Sequence, residues 1–264
     1  MDRDTGAPRF FVPTDYFPRS EGAATTLEGQ DAQHALRVLR MKPGAALDVC
    51  DGQGNVARCT ITSVTRREAH AMAAEAPRVE QWRGPRVSVA VGVSTLKGGR
   101  ADWLVEKLAE LGAWEVVPFE AERCGKVPKG REGRLDRVSQ AACQQCQRAH
   151  LMQVAAPASL AELCDRVRDA DLALVAQAGG TPVLSALDES AGAAARKVVI
   201  DHPRTKRVLL VVGPEGDFTE VEIASLLEAG CRKVGLGPLR LRTETAAVAM
   251  LTAARLSADA SGRV

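Results

Sequence analysis

The chain has 264 residues and a hydrophobic content of 45%, enough to bury a core in one large or two modest domains. Its formal net charge of +2 and pI near 8.2 exclude a strongly basic or acidic protein, so nucleic-acid binding would require local charge clusters. We expect a soluble, cytoplasmic protein without a membrane span, since no apolar leader follows Met1 and no apolar run reaches about eighteen residues.

Residues 9–76 are predicted to form short strands separated by turns. The strands are expected at 9–12, 46–50, 55–64 and 69–76. The sequence Asp51-Gly-Gln-Gly-Asn55 has the glycine and Asx chemistry of a hairpin turn. This pattern predicts a compact antiparallel β-barrel.

One helix, residues 31–41, is expected to interrupt these strands. Its Leu36 and Leu39 are predicted to face inward, while His34, Arg37 and Arg40 share another face. Two interpretations of that polar face remain open. It is either a solvated helix surface or a row of side chains that follows an RNA backbone.

After a proline-containing linker at 77–85, the pattern changes to alternating strands and helices. The nearly continuous apolar run 87–93 is typical of a strand buried on both faces of a parallel sheet. Further strands are predicted at 116–119, 172–176 and 198–200, with helices at 101–111, ended by Gly112, and at 132–149. An α/β domain with a parallel sheet follows from this alternation.

Basic residues are concentrated in two stretches of this second part. Residues 123–150 contain seven Lys or Arg and two acids, and residues 196–207 contain five against Asp201. Charge runs are usually solvated helix faces, but two clusters of one sign favour a phosphate-rich partner.

The cysteines do not indicate a metal or disulfide framework. Seven are scattered along the chain, as is typical of reduced thiols in a cytosolic protein. Cys143 and Cys146 form a CxxC pair, but no second pair stands at zinc spacing. We therefore predict no metal site.

Two glycine loops follow the last two predicted strands. Strand 208–212 leads into Gly213-Pro-Glu-Gly-Asp217, after which Thr219 and Glu222 form a capping box. Strand 234–236 leads into a second loop and then an alanine-rich helix that reaches Leu251. Ligands bind at the carboxyl ends of strands in α/β sheets, so these loops predict a binding site.

The composition of the loops restricts what the site binds. Neither loop contains the dinucleotide-binding or P-loop glycine pattern, and no GxSxG nucleophile motif occurs. The loops still offer backbone donors, together with the carboxylates of Glu215, Asp217 and Glu244 and the guanidinium of Arg242. Such a set suits an uncharged or zwitterionic cofactor.

These loops also carry a family resemblance. Gly213-Pro-Glu-Gly with Phe218, and Leu236-Gly-Pro with Leu241-Arg-Thr-Glu-Thr-Ala246, resemble the motif pair of the SPOUT RNA methyltransferases of the ribosomal small subunit methyltransferase E type. The similarity extends over almost the whole chain. Further similar pieces are Pro8-Arg-Phe-Phe11, His34-Ala-Leu-Arg-Val-Leu-Arg40, Glu110-Leu-Gly112, Glu122-Arg-Cys124, and Ala141-Ala-Cys-Gln-Gln145 with Arg148.

The resemblance implies a fold and an activity. It implies a PUA-like antiparallel β-barrel that binds RNA, placed at residues 1–78, and a trefoil-knotted SPOUT methyltransferase domain with a parallel sheet, placed at 79–264. It further implies a homodimer that transfers a methyl group from S-adenosylmethionine to N3 of a uridine in 16S rRNA, position 1498. Two alternatives stay open, a ribose 2′-O methyltransferase of the same superfamily and a non-enzymatic rRNA-binding assembly factor.

The resemblance also assigns cofactor residues, and we add our own candidates for RNA binding and for catalysis. The cofactor contacts would be Gly213, Glu215, Gly216, Leu236, Gly237 and Leu241, with the segment after strand 172–176 as a third wall. The RNA contacts would be Arg9, Arg37, Arg40, Arg123 and Arg148. For catalysis, Arg242 would stabilise charge on the uracil, and Glu215 or Glu244 would act as base or orienting group. Glu244 would also complement the dipole of its helix without any chemical role.

The chain departs from the family pattern at four positions. Leu239 stands where arginine is common, Arg240 where an aliphatic residue is common, Asp217 where glycine is common and Gln144 where glutamate is common. Asp217 is the departure with a conformational consequence, because the loop is expected to need a positive φ that glycine accepts more readily.

Overall fold

The computed structural model describes residues 6–92, 99–124, 133–188 and 206–260. Their contacts divide the chain into two compact units. The first contains Met1–Trp82 and Gln140–Leu151, and the second contains Arg83–Ser139 and Met152–Val264.

The first unit is built on a mainly antiparallel sheet of six strands. Its strands are β1 (Arg9–Phe11), β2 (Ala24–Leu27), β3 (Ala46–Cys50), β4 (Asn55–Val64), β5 (Ala69–Ala73) and β6 (Arg78–Val79), in the order β1-β3-β4-β5-β2 with β6 beside β4. The predicted antiparallel arrangement is confirmed, with one exception at an edge, where β1 pairs with β3 in parallel. Strands β2 and β6 were not predicted, and β6 lies inside the supposed linker 77–85.

Alternation of side chains explains the core of this unit. In β4, Ala57, Cys59 and Ile61 are buried because successive residues of a strand face opposite sides. The predicted turn before β4 is confirmed, since Oδ1 of Asp51 accepts hydrogen bonds from the backbone N–H groups of Gln53 and Asn55.

The predicted helix 31–41 is interrupted. Helix α1 covers Gly29–Gln33, and His34–Val38 continue as a wider π turn in which the N–H of Leu39 bonds to the carbonyl of His34 at 3.0 Å. A π turn has i→i+5 bonds, so it alters the side-chain period on which the prediction depended. Leu39 is consequently 42% exposed instead of buried, while Ala32 and Ala35 face the core.

The second unit contains a parallel sheet of six strands, as predicted for an α/β domain. Its strands are β7 (Arg86–Gly92), β8 (Glu115–Phe119), β9 (Gln153–Val154), β10 (Leu172–Pro182), β11 (Arg207–Val212) and β12 (Arg232–Gly235), in the order β12-β10-β11-β7-β8-β9. Its named helices are α2 (Gly99–Glu110), α3 (Arg134–Gln145), α4 (Leu160–Asp169), α5 (Glu220–Glu228) and α6 (Thr243–Ala260). The strand predicted at 198–200 lies outside the described residues.

Capping signals account for two of these helices. Thr219 and Glu222 form the predicted capping box of α5. Helix α4 was not predicted, although Ser159 and Glu162 form the same motif at its start.

The strand order changes how the two glycine loops are related. Strands β11 and β12 follow each other in the chain, but β10 lies between them in the sheet. The strands that lead into the two loops therefore lie on either side of β10 in the sheet.

Two features are absent from the described ranges. None of their helices is both long enough and apolar enough to cross a membrane. No cluster of three or more His, Cys, Asp or Glu side chains in the same ranges could hold a metal ion.

Candidate functional site

A cavity of about 590 Å³ opens at the carboxyl edge of the parallel sheet. Its walls come from three segments, residues 176–178 within β10, residues 212–215 and 217 after β11, and residues 236–243 after β12 with Ala246 of α6. The segment after strand 172–176 thus forms the third wall that the resemblance implied.

Most of the predicted cofactor residues meet in this cavity. Gly213, Glu215, Leu236, Gly237 and Leu241 line it. Gly216 does not, because it faces Arg123, where an added Cβ would lie 3.2 Å from the Arg123 Cβ.

Glycine is required at two of these positions for different reasons. A Cβ on Gly213 would come within 2.9 Å of the ring of Phe218, which stacks on Phe119 at 5.5 Å between ring centroids. Gly237 has φ of 109°, a conformation that L side chains rarely adopt. The first glycine therefore allows close packing, and the second allows the loop to turn.

Two of the departures from the family pattern have structural roles. Asp217 does adopt a positive φ, 64°, and its Oδ1 accepts a hydrogen bond from the N–H of Phe218 at 2.9 Å. Arg240 donates from Nη2 to the carbonyl oxygen of Glu215 at 3.2 Å, so it joins one loop to the other. Leu239 is 78% exposed and lines the cavity.

The three predicted catalytic side chains occupy different environments. Arg242 is exposed and lines the cavity, and Glu215 also lines it. Glu244, in the first turn of α6, is buried, and neither of its carboxylate oxygens has a hydrogen-bond partner. The hydroxyl of Thr243 donates to the carbonyl of Gly213 at 3.1 Å, which fixes the start of α6 against the first loop.

The prediction missed Arg100, at the start of α2. Its Nη1 lies 3.6 Å from an oxygen of Glu215 and 3.6 Å from an oxygen of Glu244. No local sequence signal marks it, because both carboxylates lie more than a hundred residues away in the chain.

The prediction that Arg9 contacts RNA needs correction. Its guanidinium is buried and donates to both carboxylate oxygens of Glu80, at 3.0 and 3.2 Å, and to the carbonyl of Gln147 at 2.7 Å. Burial alone would lower the pKa of Arg9, but the bonds to Glu80 and the nearby carboxylates raise it. Arg9 therefore holds the first unit together, and its guanidinium is not available to a phosphate.

The other four predicted RNA contacts divide into two kinds. Arg37 and Arg40 are exposed, and Arg123 is exposed while donating to the carbonyl of Gly216 at 3.1 Å. Arg148 is half-buried, donates from Nε to the carbonyl of His150 and lies 5.5 Å from the ring centroid of Trp82. Arg148 thus has a packing role in the first unit.

The fold and the cavity define the class of the protein. A family model described as an RNA methyltransferase domain matches residues 83–255, which contain all three cavity walls. A model described as an RNA methyltransferase PUA domain matches residues 27–71, within the first unit. The chain is therefore an RNA methyltransferase of the SPOUT-type α/β class with an N-terminal PUA-like domain, which confirms the predicted fold class.

Individual relatives identify the family more closely. Ribosomal RNA small subunit methyltransferase E of Mycobacterium tuberculosis (strain CDC 1551 / Oshkosh) is 33% identical over 88% of this chain and 86% of its own. The Bacillus subtilis protein of the same name is 28% identical over 93% of this chain and 94% of its own. A structure of the Neisseria gonorrhoeae protein of that name, bound to S-adenosylmethionine, is 26% identical and covers 97% of this chain and 98% of that chain, with a TM-score of 0.77. The chain belongs to the ribosomal RNA small subunit methyltransferase E family.

Proposed function

We propose that this protein transfers a methyl group from S-adenosylmethionine to N3 of a uridine in 16S rRNA, position 1498. The observation that supports this most directly is the cavity itself, in which two glycine loops and Arg242 surround space for a small polar cofactor. Family membership and the S-adenosylmethionine-bound Neisseria relative support the choice of cofactor.

The cavity residues fit that cofactor. Its walls combine apolar side chains such as Val212 and Leu241 with backbone groups at Gly213 and Gly237. Because glycine has no Cβ, the main-chain groups at Gly213 and Gly237 are left open to a ligand. When bound, S-adenosylmethionine supplies an electrophilic methyl group on a sulfonium.

The proposed roles of the polar side chains follow from uridine chemistry. The N3 proton is weakly acidic, and its removal leaves negative charge on the uracil oxygens. Arg242, exposed at the cavity, stabilises that charge. We assign to Glu215 the role of accepting the proton or orienting the base, a role supported by its position in the cavity lining and its 43% exposed side chain.

Glu244 is better suited to an indirect role. It is buried and does not line the cavity, but it follows Arg242 by two residues and lies beside Arg100. We therefore propose that Glu244 and Arg100 orient the first turn of α6, while Glu215 is the stronger candidate for the base.

Substrate binding is proposed for the N-terminal barrel and the exposed arginines. Residues 1–78 would act as the RNA-binding domain and 79–264 as the methyltransferase domain. Arg37, Arg40 and Arg123 remain the proposed RNA contacts, since each guanidinium belongs to an exposed residue. We also propose a homodimer, as the family resemblance implies, and a cytoplasmic site of action on the small ribosomal subunit.

The test is methylation of small subunits purified from a strain that lacks the gene, with S-adenosylmethionine and the recombinant protein. Nucleoside mass spectrometry should detect one 3-methyluridine per 16S rRNA, and mapping should locate it at position 1498. A ribose methyl group would instead indicate the 2′-O activity. Binding of the subunit without any methyl transfer would indicate an assembly factor.

A further inference from the structure

The carboxylate of Glu222 is buried although it belongs to a helix cap. Glu222 lies in the first turn of α5 and is only 5% exposed. Its Oε2 accepts hydrogen bonds from the backbone N–H and the hydroxyl of Thr219, which completes the capping box. Glutamate is rarely buried unless its carboxylate is paired, so the second oxygen also requires a donor.

That donor comes from a distant part of the chain. Oε1 of Glu222 accepts a hydrogen bond from the backbone N–H of Glu122 at 2.7 Å. Glu122 lies just beyond β8, in a turn closed by the bond from the N–H of Cys124 to the carbonyl of Ala121 at 2.9 Å. One carboxylate therefore joins the start of α5 to the turn after β8.

The other capping box of the same unit shows that this bond is not part of the motif. At the start of α4, Oε2 of Glu162 accepts from the backbone N–H and the hydroxyl of Ser159 in the same way. Glu162 is exposed, however, and within the described residues the hydrogen bonds of its carboxylate stay inside the box. The long-range bond of Glu222 is thus additional to helix capping.

The turn that Glu222 holds lies against the first glycine loop. Nη1 of Arg123 donates to the carbonyl of Gly216 at 3.1 Å, and an added Cβ on Gly216 would lie 3.2 Å from the Cβ of Arg123. Beside these contacts, the rings of Phe119 and Phe218 stack at 5.5 Å between centroids. Arg123 itself is exposed, so these contacts fix an exposed arginine beside the loop.

We propose that Glu222 is a positioning residue for RNA binding, which acts through its bond to the Glu122 N–H and holds Arg123 beside the first glycine loop. The inference rests on the proposed contact of Arg123 with RNA, but not on uridine N3 as the target atom. An arginine whose backbone is already fixed loses less conformational freedom when it binds a phosphate. Glu222 therefore raises the affinity for RNA without touching it.

Glu122→Pro removes the donor of this bond and nothing from the capping box. Glu122 is exposed and occupies the first central position of its turn, where proline is common. Glu122→Ala is the matched control, because it loses the same carboxylate but keeps the N–H. From the other side, Glu222→Ala removes the acceptor. Its control is Glu162→Ala, which deletes the equivalent carboxylate of the other capping box.

The test measures two affinities for each variant. Filter binding gives the Kd for small ribosomal subunits from the strain that lacks the gene, and calorimetric titration gives the Kd for S-adenosylmethionine. Glu122→Pro should raise the Kd for subunits by about 3–10-fold relative to Glu122→Ala, and Glu222→Ala should do the same relative to Glu162→Ala. The Kd for S-adenosylmethionine should change less than about twofold, because the turn contacts Gly216, which does not line the cavity.

A further substitution tests whether the effect passes through Arg123. Arg123→Gln alone should weaken subunit binding, because it removes the proposed phosphate contact. In the Arg123→Gln background, Glu122→Pro and Glu122→Ala should bind subunits with equal Kd, because the guanidinium that the bond positions is gone.

Four results would overturn the inference. Equal Kd values of Glu122→Pro and Glu122→Ala for subunits would show that the bond does not contribute. Unweakened binding by Arg123→Gln, or a proline effect that persists in its background, would mean that Arg123 is not the residue positioned. A matching rise in the Kd for S-adenosylmethionine would indicate that the cavity loop itself is deformed.

The proposed function is tested separately by methylation with the unaltered protein. Formation of 3-methyluridine would uphold that function even if Glu122→Pro and Glu122→Ala bound subunits equally. Absence of 3-methyluridine would contradict the function, while the comparison of Kd values for subunits would still decide whether Glu222 positions Arg123.

Discussion

Nη1 of Arg100 lies 3.6 Å from a carboxylate oxygen of Glu244, and the two side chains differ in exposure, 57% for the arginine and 8% for the glutamate. Both oxygens of Glu244 lack hydrogen-bond partners, so the attraction to Arg100 is what compensates a buried negative charge. The same nitrogen is equally close to Glu215. Arg100 therefore connects α2 with the cavity wall and with the first turn of α6.

Arg100→Gln should leave Glu244 buried without its nearest cation. We expect a loss of about 1–3 kcal/mol in the free energy of unfolding and a lower rate of methyl transfer, with the Kd for S-adenosylmethionine little changed. In a Glu244→Gln background the same substitution should cost less than about 0.5 kcal/mol, because no charge remains to be compensated. Urea unfolding of the four proteins of this cycle measures the coupling. If the two substitutions lowered the free energy of unfolding additively, the coupling between Arg100 and Glu244 would be contradicted.

Arg242→Ala should abolish methyl transfer while the cofactor still binds. Arg242 is exposed at the cavity, where the uracil charge would develop, and removal of one such stabilising donor typically lowers kcat by about 10²–10³-fold. Single-turnover methylation of small subunits measures the rate, and calorimetric titration measures the cofactor Kd. Arg242→Lys should recover part of the rate, since it keeps the charge. Unchanged turnover in the alanine variant would refute the assignment.

Arg240→Ala should loosen the two cavity loops relative to each other. Its bond to the carbonyl of Glu215 links them, as does the bond from Thr243 to Gly213, so its loss should raise the Kd for S-adenosylmethionine by about 3–10-fold. The matched control is Lys233→Ala, which removes an exposed cation of β12 that does not line the cavity and should change the Kd less than about twofold. Equal Kd values for the two variants would mean that the link does not support the site.

The parts of the site that could be predicted are those specified by local sequence. Gly213 and Gly237 occupy positions where only glycine packs or turns, so the loops could be located from the residue types alone. Thr219 and Glu222 similarly marked the start of α5. Short-range chemistry of this kind leaves a readable pattern because both partners lie within a few residues of each other.

The features that could not be predicted depend on partners that are distant in sequence. Arg9 is buried beside Asp48 of β3 and Glu80, which follows β6, and the sequence alone does not reveal that contact. The position of β10 between β11 and β12 follows from sheet order, and it brings Gln177 into the cavity. The role of Arg100 likewise depends on its ion pairs with Glu215 and Glu244, which lie more than a hundred residues away in the sequence.

Arg37 and Arg40 should each contribute to RNA affinity through the positive charge of the guanidinium. The double variant Arg37→Gln/Arg40→Gln should weaken binding to 16S rRNA and reduce the slope of log K against log salt by about 1.5, if each arginine neutralises one phosphate. Arg66→Gln/Arg67→Gln is the matched control, because it removes the same charge from an exposed turn of the same unit. Filter binding across a salt series measures both. Identical slopes for the two double variants would mean that the weaker binding comes from the lower net charge and not from lost contacts of Arg37 and Arg40 with RNA phosphates.

Burial of the Cys50 thiol should make the folded protein less stable at alkaline pH. Burial raises the pKa of the Cys50 thiol from 9.0 to about 12. The unfolded chain therefore loses this proton first, so the contribution of Cys50 to stability is complete below pH 9 and is lost as the pH rises towards 12. Within that window each pH unit should remove about 1.4 kcal/mol. Between pH 8 and pH 11, the free energy of unfolding measured in urea should fall more steeply with pH for the unaltered protein than for Cys50→Ala. The packing that the variant loses shifts its whole curve but not this slope. Parallel curves would show that Cys50 does not titrate differently in the folded and unfolded states.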